Sequence, residues 1–132
     1  MLRNMVYNNK DKLRAGCIVA GWDPLHGAQV YKVAMGGSLF ESPFTVAGSG
    51  GTYIYSLLDE KINFDRQGRG EYPKATSFTR EEAEKMVEMA LAHAMSRDGG
   101  SGGMIRTVTI TPTQNEKKCI AGNQLPYGPA GW

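Results

Sequence analysis

At 132 residues the chain holds one domain or part of one. Its 15 Lys and Arg against 13 Asp and Glu leave a net charge of +2, scattered along the chain, so a basic nucleic-acid face is excluded as a function class. No apolar run is long enough to span a bilayer, and 2 cysteines make no disulfide framework. Cys17 and Cys119, each in an apolar strand-like setting, are expected as buried reduced thiols.

Residues 1–14 read as the last turns of a helix, with Leu2, Met5 and Val6 on one face and Lys10, Lys12 and Arg14 near its C-terminal end. Residues 15–22 (AGCIVAGW) form a continuous small-and-apolar run, the pattern of a strand buried on both faces. Asp23-Pro24-Leu25-His26-Gly27 is turn chemistry. Residues 29–35 alternate, which makes a hairpin with the preceding strand. After Gly36-Gly37, residues 38–46 read as a third extended stretch, and Pro43 places it at an edge or a bend.

A glycine loop, Ala47-Gly48-Ser49-Gly50-Gly51-Thr52, precedes a helix over 53–60. Such a loop can hold phosphate on backbone N–H groups. Here it lacks the Gly-Lys-Ser/Thr ending and the spacing of a dinucleotide loop, so a helix cap from Ser49 or Thr52 is the plainer reading. Residues 62–77 are polar, with Gly68, Gly70 and Pro73, and read as a solvated surface loop.

Thr79 and Glu82 have capping-box spacing. Ala83, Met86, Val87, Ala90, Leu91 and Ala94 follow at helical spacing, with Glu81, Glu84, Lys85 and Glu88 outward. The methionines on this helix are core filler. His93 and His26 have no partner cysteine or carboxylate at metal-ligand spacing, so neither points to a metal site.

The helix stops at Ser96-Arg97-Asp98-Gly99-Gly100-Ser101-Gly102-Gly103. A glycine-rich stop after a basic last turn is an ordinary C-terminal cap. The same joint can instead hold Asp98 and Ser101, three residues apart, as a polar pair that organises chemistry. Residues 104–111 (MIRTVTIT) then alternate, with Ile105, Thr107 and Thr109 against Arg106, Val108 and Ile110. Residues 112–115 turn and 116–121 return as a strand. The tail, 122–132, carries Leu125, Tyr127 and Trp132 and reads as a docking segment. The predicted fold class is α+β with mostly antiparallel sheets.

Several of these segments together resemble one family. They are Gly21-Trp22-Asp23 after an apolar strand, Gln29-Val30-Tyr31, Met35-Gly36-Gly37, Gly48-Ser49-Gly50 before Tyr53-Ile54-Tyr55, and the Arg97–Gly103 joint before a strand. In that order they resemble the C-terminal portion of a proteasome β-type subunit, in wording most like the caspase-like subunit or its immune-induced counterpart. The resemblance covers nearly the whole chain from about Leu13. It implies a four-layer αββα sandwich of the N-terminal nucleophile hydrolase type, in which 63–77 is an inserted surface loop and the 122–132 tail an inter-subunit contact.

The resemblance also implies threonine-type endopeptidase chemistry. An N-terminal threonine hydroxyl attacks the scissile carbonyl, and the α-amine acts as base, which suits a group titrating near pH 7.7–8.0. Asp98, Ser101 and Ser49 match the family's supporting residues around that amine. The implied partners are other α and β subunits in stacked seven-membered rings and polypeptide substrates cleaved after acidic residues. The implied setting is ubiquitin-dependent degradation in cytoplasm and nucleus. No organic cofactor, nucleic acid or membrane is implied; the family reading leaves room for a cation on backbone carbonyls near Asp98–Ser101, which no side-chain constellation marks as a metal site. The threonine-led segment has no equivalent in these residues, so this portion alone is expected to be inactive and poorly folded. Two alternatives remain open: a non-catalytic structural subunit or fragment of the same ring, and an unrelated small α+β binding module.

Overall fold

The computed structural model describes residues 1–62 and 78–125. The expected surface loop over 63–77 and the tail beyond 125 lie outside the described residues. The chain divides into two compact units, Met1–Ala47 and Gly48–Trp132.

In the first unit, helix α1 (Leu2–Asn8) is shorter than the sequence predicts. It is followed by strands β1 (Cys17–Asp23), β2 (Gly27–Val33) and β3 (Leu39–Glu41), an antiparallel sheet in the order β1-β2-β3. The hairpin register runs from Cys17 opposite Val33 to Asp23 opposite Gly27. Its turn is closed by Asp23, whose Oδ1 accepts from the backbone N–H of Leu25 and of His26, each at 2.8 Å. Val6 and Val33 are the buried centre of the unit. Gly37 has φ +86°, and a Cβ there would stand 2.7 Å from the Cβ of Tyr7 and 2.9 Å from its Cα and N. The glycine thus lets the β2–β3 turn close on α1. The Lys32 ammonium donates to the carbonyl of Val46 at 3.0 Å, which ties β2 to the end of the unit.

Two expectations fail here. The apolar run in β1 is not buried on both faces: Ile18, Val19 and Trp22 are 40–45% exposed. An apolar run records a demand for cover, and among the described residues β1 is an edge strand with neither face sealed. The third strand is three residues rather than nine: the Ser42 N–H still donates to the Val30 carbonyl at 3.1 Å, and the pairing with β2 ends there, just before Pro43.

In the second unit, α2 (Gly51–Lys61) and α3 (Arg80–Arg97) pack together, and α3 also packs on the antiparallel pair β4 (Met104–Ile110) and β5 (Asn115–Ala121). A 3-10 turn, Gly122–Gln124, follows. Ile54 and Leu58 on α2 and Ile62 just past its end are buried at a spacing of four. Ile62 therefore belongs to the core and not to the surface loop. The strand alternation holds: Ile105 is 2% exposed, while Arg106, Val108 and Ile110 face out. Burying a side chain such as Ile105 contributes roughly 1.5–3 kcal/mol.

Helix α3 departs from its one-sided reading. Its buried residues are Ala90, Ala92 and Ala94, and at 100° per residue Ala92 lies on the far side from the other two. Val87, expected in the core, is 46% exposed. The second face is polar as well as small. Glu84 accepts from Thr109 Oγ1 at 2.7 Å, and Glu88 accepts from the Lys118 ammonium at 2.6 Å. Arg80 bridges Glu84 and Glu116. Glu84 and Glu88 thus point to the hairpin and not outward. The two cysteines also differ from expectation: Cys17 is half-buried and Cys119 exposed, and both are free.

The capping box forms as predicted. Thr79 Oγ1 accepts from the N–H of Glu82 at 3.2 Å, and Glu82 Oε2 accepts from the N–H of Thr79 at 2.8 Å. Thr79→Ala is expected to cost about 1 kcal/mol. Amide exchange in the first turn of α3 should then speed up about fivefold. Unchanged exchange there would show that the cap does not hold the helix end.

Candidate functional site

The residues that carry the site come from two separate segments of the second unit. Asp98 is the C-cap of α3, with extended backbone (φ −106°, ψ 117°) and its N–H donating to the carbonyl of Ala94 at 2.8 Å. That cap turns the chain out of the helix and leaves the carboxylate free of backbone capping duty on α3. The turn continues as the N–H of Ser101 donates to the Asp98 carbonyl at 3.1 Å. Ser49 stands just before α2, on the glycine loop.

All three sequence-predicted residues meet at one carboxylate. Ser101 Oγ donates to Asp98 Oδ2 at 2.6 Å, and Ser49 Oγ donates to the same oxygen at 2.7 Å. The N–H of Gly100 reaches Oδ1 at 3.3 Å. Ser49 spans 49 positions to make its bond. Its hydroxyl is therefore engaged by Asp98, which corrects the plainer reading of Ser49 as a helix cap. The cap and site readings of Asp98 are both realised, since its backbone ends the helix while its side chain gathers the hydroxyls.

These donors favour the charged carboxylate. The Ser101 hydroxyl first, then Ser49 and the Gly100 N–H, hold the Asp98 carboxyl below its ordinary value of 3.8, against a smaller opposing effect of burial. The sign of the linkage follows. A depressed carboxyl stabilises the fold fully above pH 3.8, and that stabilisation is lost as pH falls through the lower folded value. Glu84 and Glu116, both lowered mainly by Arg80, act in the same direction. Stability of Asp98→Asn is therefore expected to fall less steeply than wild type below pH 4. Denaturant midpoints taken in steps through that range check this, and parallel curves would refute it.

Glycines make room for the cluster. Gly50 is buried, and a Cβ there would lie 2.9 Å from Ser101 Oγ, 3.0 Å from the Cβ of Ala94 and 3.3 Å from Asp98 Oδ2. A Cβ at Gly100 would lie 3.0 Å from Ser49 Oγ. Neither glycine is singled out by sequence reasoning, although both sit inside motifs that are. Among the described residues no cluster of three His, Cys, Asp or Glu side chains could hold a metal ion, and no helix is long and apolar enough to cross a membrane. The arrangement is a charged acceptor flanked by two hydroxyls, suited to holding and orienting a proton-bearing group.

Residues 1–110 match the family described as Proteasome subunit. The chain belongs to that family. Among curated relatives, it is 44% identical over 122 residues to proteasome subunit beta type-6 of Dictyostelium discoideum, covering 92% of this chain and 51% of that one. It is 44% identical over 126 residues to proteasome subunit beta type-9 of Salmo salar, covering 96% of this chain and 52% of the relative. It is 36% identical over 125 residues to proteasome subunit beta type-6 of Arabidopsis thaliana, at 95% and 48%. The chain thus spans about half the length of the curated relatives it matches. The β-type resemblance read from its motifs is borne out, and the unrelated-module alternative falls. The mixed α and β elements with antiparallel sheets agree with the family.

Proposed function

We propose that the protein is a catalytic-type β subunit of the proteasome core, a threonine-type endopeptidase that cuts polypeptides after acidic residues. It works within stacked seven-membered rings of α and β subunits, in ubiquitin-dependent degradation in cytoplasm and nucleus. The single observation that carries this reading is the convergence of Ser49 and Ser101 on Asp98 Oδ2. A chain that contributes ring contacts alone has no use for two hydroxyls trained on one carboxylate. In this reading the attacking hydroxyl and the basic amine belong to an N-terminal threonine outside these 132 residues. Asp98 steadies the ammonium formed when that amine takes the proton, and the two serines orient it.

The test is to purify the assembled particle through a tag on this chain. Intact mass and N-terminal sequencing should give a subunit that starts at threonine. Hydrolysis of peptides with Glu or Asp before the cut should depend on Asp98, while cleavage after basic or aromatic residues should not. A chain that enters the particle but whose Asp98→Asn form leaves all three cleavages intact is a structural subunit. A chain that enters no particle overturns the reading outright.

A further inference from the structure

We infer that Gly50 is a positioning residue for this site: its missing side chain is what allows the hydroxyls of Ser49 and Ser101 to converge on a single oxygen of Asp98.

The geometry leaves no space for a methyl group. Gly50 follows Ser49 directly and is buried where the start of α2 meets the end of α3. A Cβ there would stand 2.9 Å from Ser101 Oγ, 3.0 Å from the Cβ of Ala94 and 3.3 Å from Asp98 Oδ2. These three atoms respond differently. The Ala94 methyl is fixed to α3 and has no rotamer to change. The Asp98 carboxylate is anchored by the Ser49 hydroxyl and the Gly100 N–H. The Ser101 hydroxyl is the end of a short side chain with one free torsion, so it is the group that yields. Its bond to Asp98, at 2.6 Å the shorter of the two hydroxyl bonds, is the one broken. Gly50 has no left-handed φ to satisfy, unlike Gly48 two residues earlier at φ +99°. The requirement at position 50 is therefore the space between the hydroxyls and the carboxylate, not the backbone angle.

The activity arm of the test rests on the function proposed above, and the structural arm does not. An experimentally determined structure of the assembled particle carrying Gly50→Ala should show Ser101 Oγ displaced beyond about 3.5 Å from Asp98 Oδ2 while Ser49 remains bonded. In the assembled particle, kcat for the acidic peptide should fall about tenfold with little change in KM. Added to Ser101→Ala, the glycine substitution should cause no further loss. Gly21→Ala, in β1 with nothing within 4 Å of the added Cβ, is the control and should leave both readouts unchanged. Should Gly50→Ala fail to fold, Gly50→Ala/Ala94→Gly removes the fixed contact and is read in the same way. A Ser101 hydroxyl still at its original distance in either variant overturns the inference. So does a failure of both variants to fold, which would make Gly50 a packing residue. A displaced hydroxyl in the variant, when the wild-type particle also fails to cleave the acidic peptide, upholds the positioning and overturns the proposed function.

Discussion

Asp98→Asn is expected to lower turnover of an acidic peptide by the assembled particle by about 100-fold or more, with the subunit still incorporated. The substitution keeps the size of the side chain. Its carbonyl oxygen can still accept from both Ser49 and Ser101, and only the 3.3 Å contact of the Gly100 N–H with Oδ1 is lost. What it removes is the negative charge that, in the function proposed above, stabilises an ammonium formed beside it. Ser101→Ala keeps the charge and loses one of two hydroxyls, so its expected loss is about tenfold. The order of the two effects is as informative as their size. Equal losses would mean that the serine matters as much as the charge, and wild-type turnover in Asp98→Asn would remove the carboxylate from the chemistry.

Gly37→Ala carries the largest expected effect on stability. Its φ of +86° lies in the left-handed region, which costs an alanine roughly 1–2 kcal/mol. The added Cβ also meets the Cα, N and Cβ of Tyr7 at 2.7–2.9 Å, atoms of α1 that have no rotamer to adjust. Overpacking of this kind costs roughly 1–3 kcal/mol more. The melting temperature should drop by about 10 °C or more. Gly36→Ala separates the two causes. Position 36 has φ +93° but nothing within 4 Å of an added Cβ, so it should show the conformational cost alone. Equal melting temperatures for the two variants would mean that α1 does not press on the turn.

What the sequence shows directly is what is encoded locally. The Thr79–Glu82 box, the Asp23 turn and the alternation of β4 each depend on neighbours within a few residues, and each forms as read. Asp98 and Ser101 are legible for the same reason, lying within one turn of chain. The partnership of Ser49 with Asp98 is not local, and only the family resemblance points to it. The two-faced burial of α3 escapes a stripe reading because Ala92 on the second face looks like a helix filler, and Glu84 and Glu88 beside it look like surface charge. Exposure of β1 escapes as well, since composition registers how apolar a strand is and not which layers cover it.

The sharing of Asp98 Oδ2 by two serines also fixes a proton inventory. Each hydroxyl has one hydrogen, and both are spent on the carboxylate. Toward any third group the serines present lone pairs alone, and so does Oδ1 apart from its contact with Gly100. The cluster therefore repels anions and receives only donors. A neutral amine entering it would donate its two N–H groups to these oxygens and keep its lone pair turned away from them. In the function proposed above, the cluster would hold a base in place by its hydrogens and leave its basicity free for whatever stands on the other side.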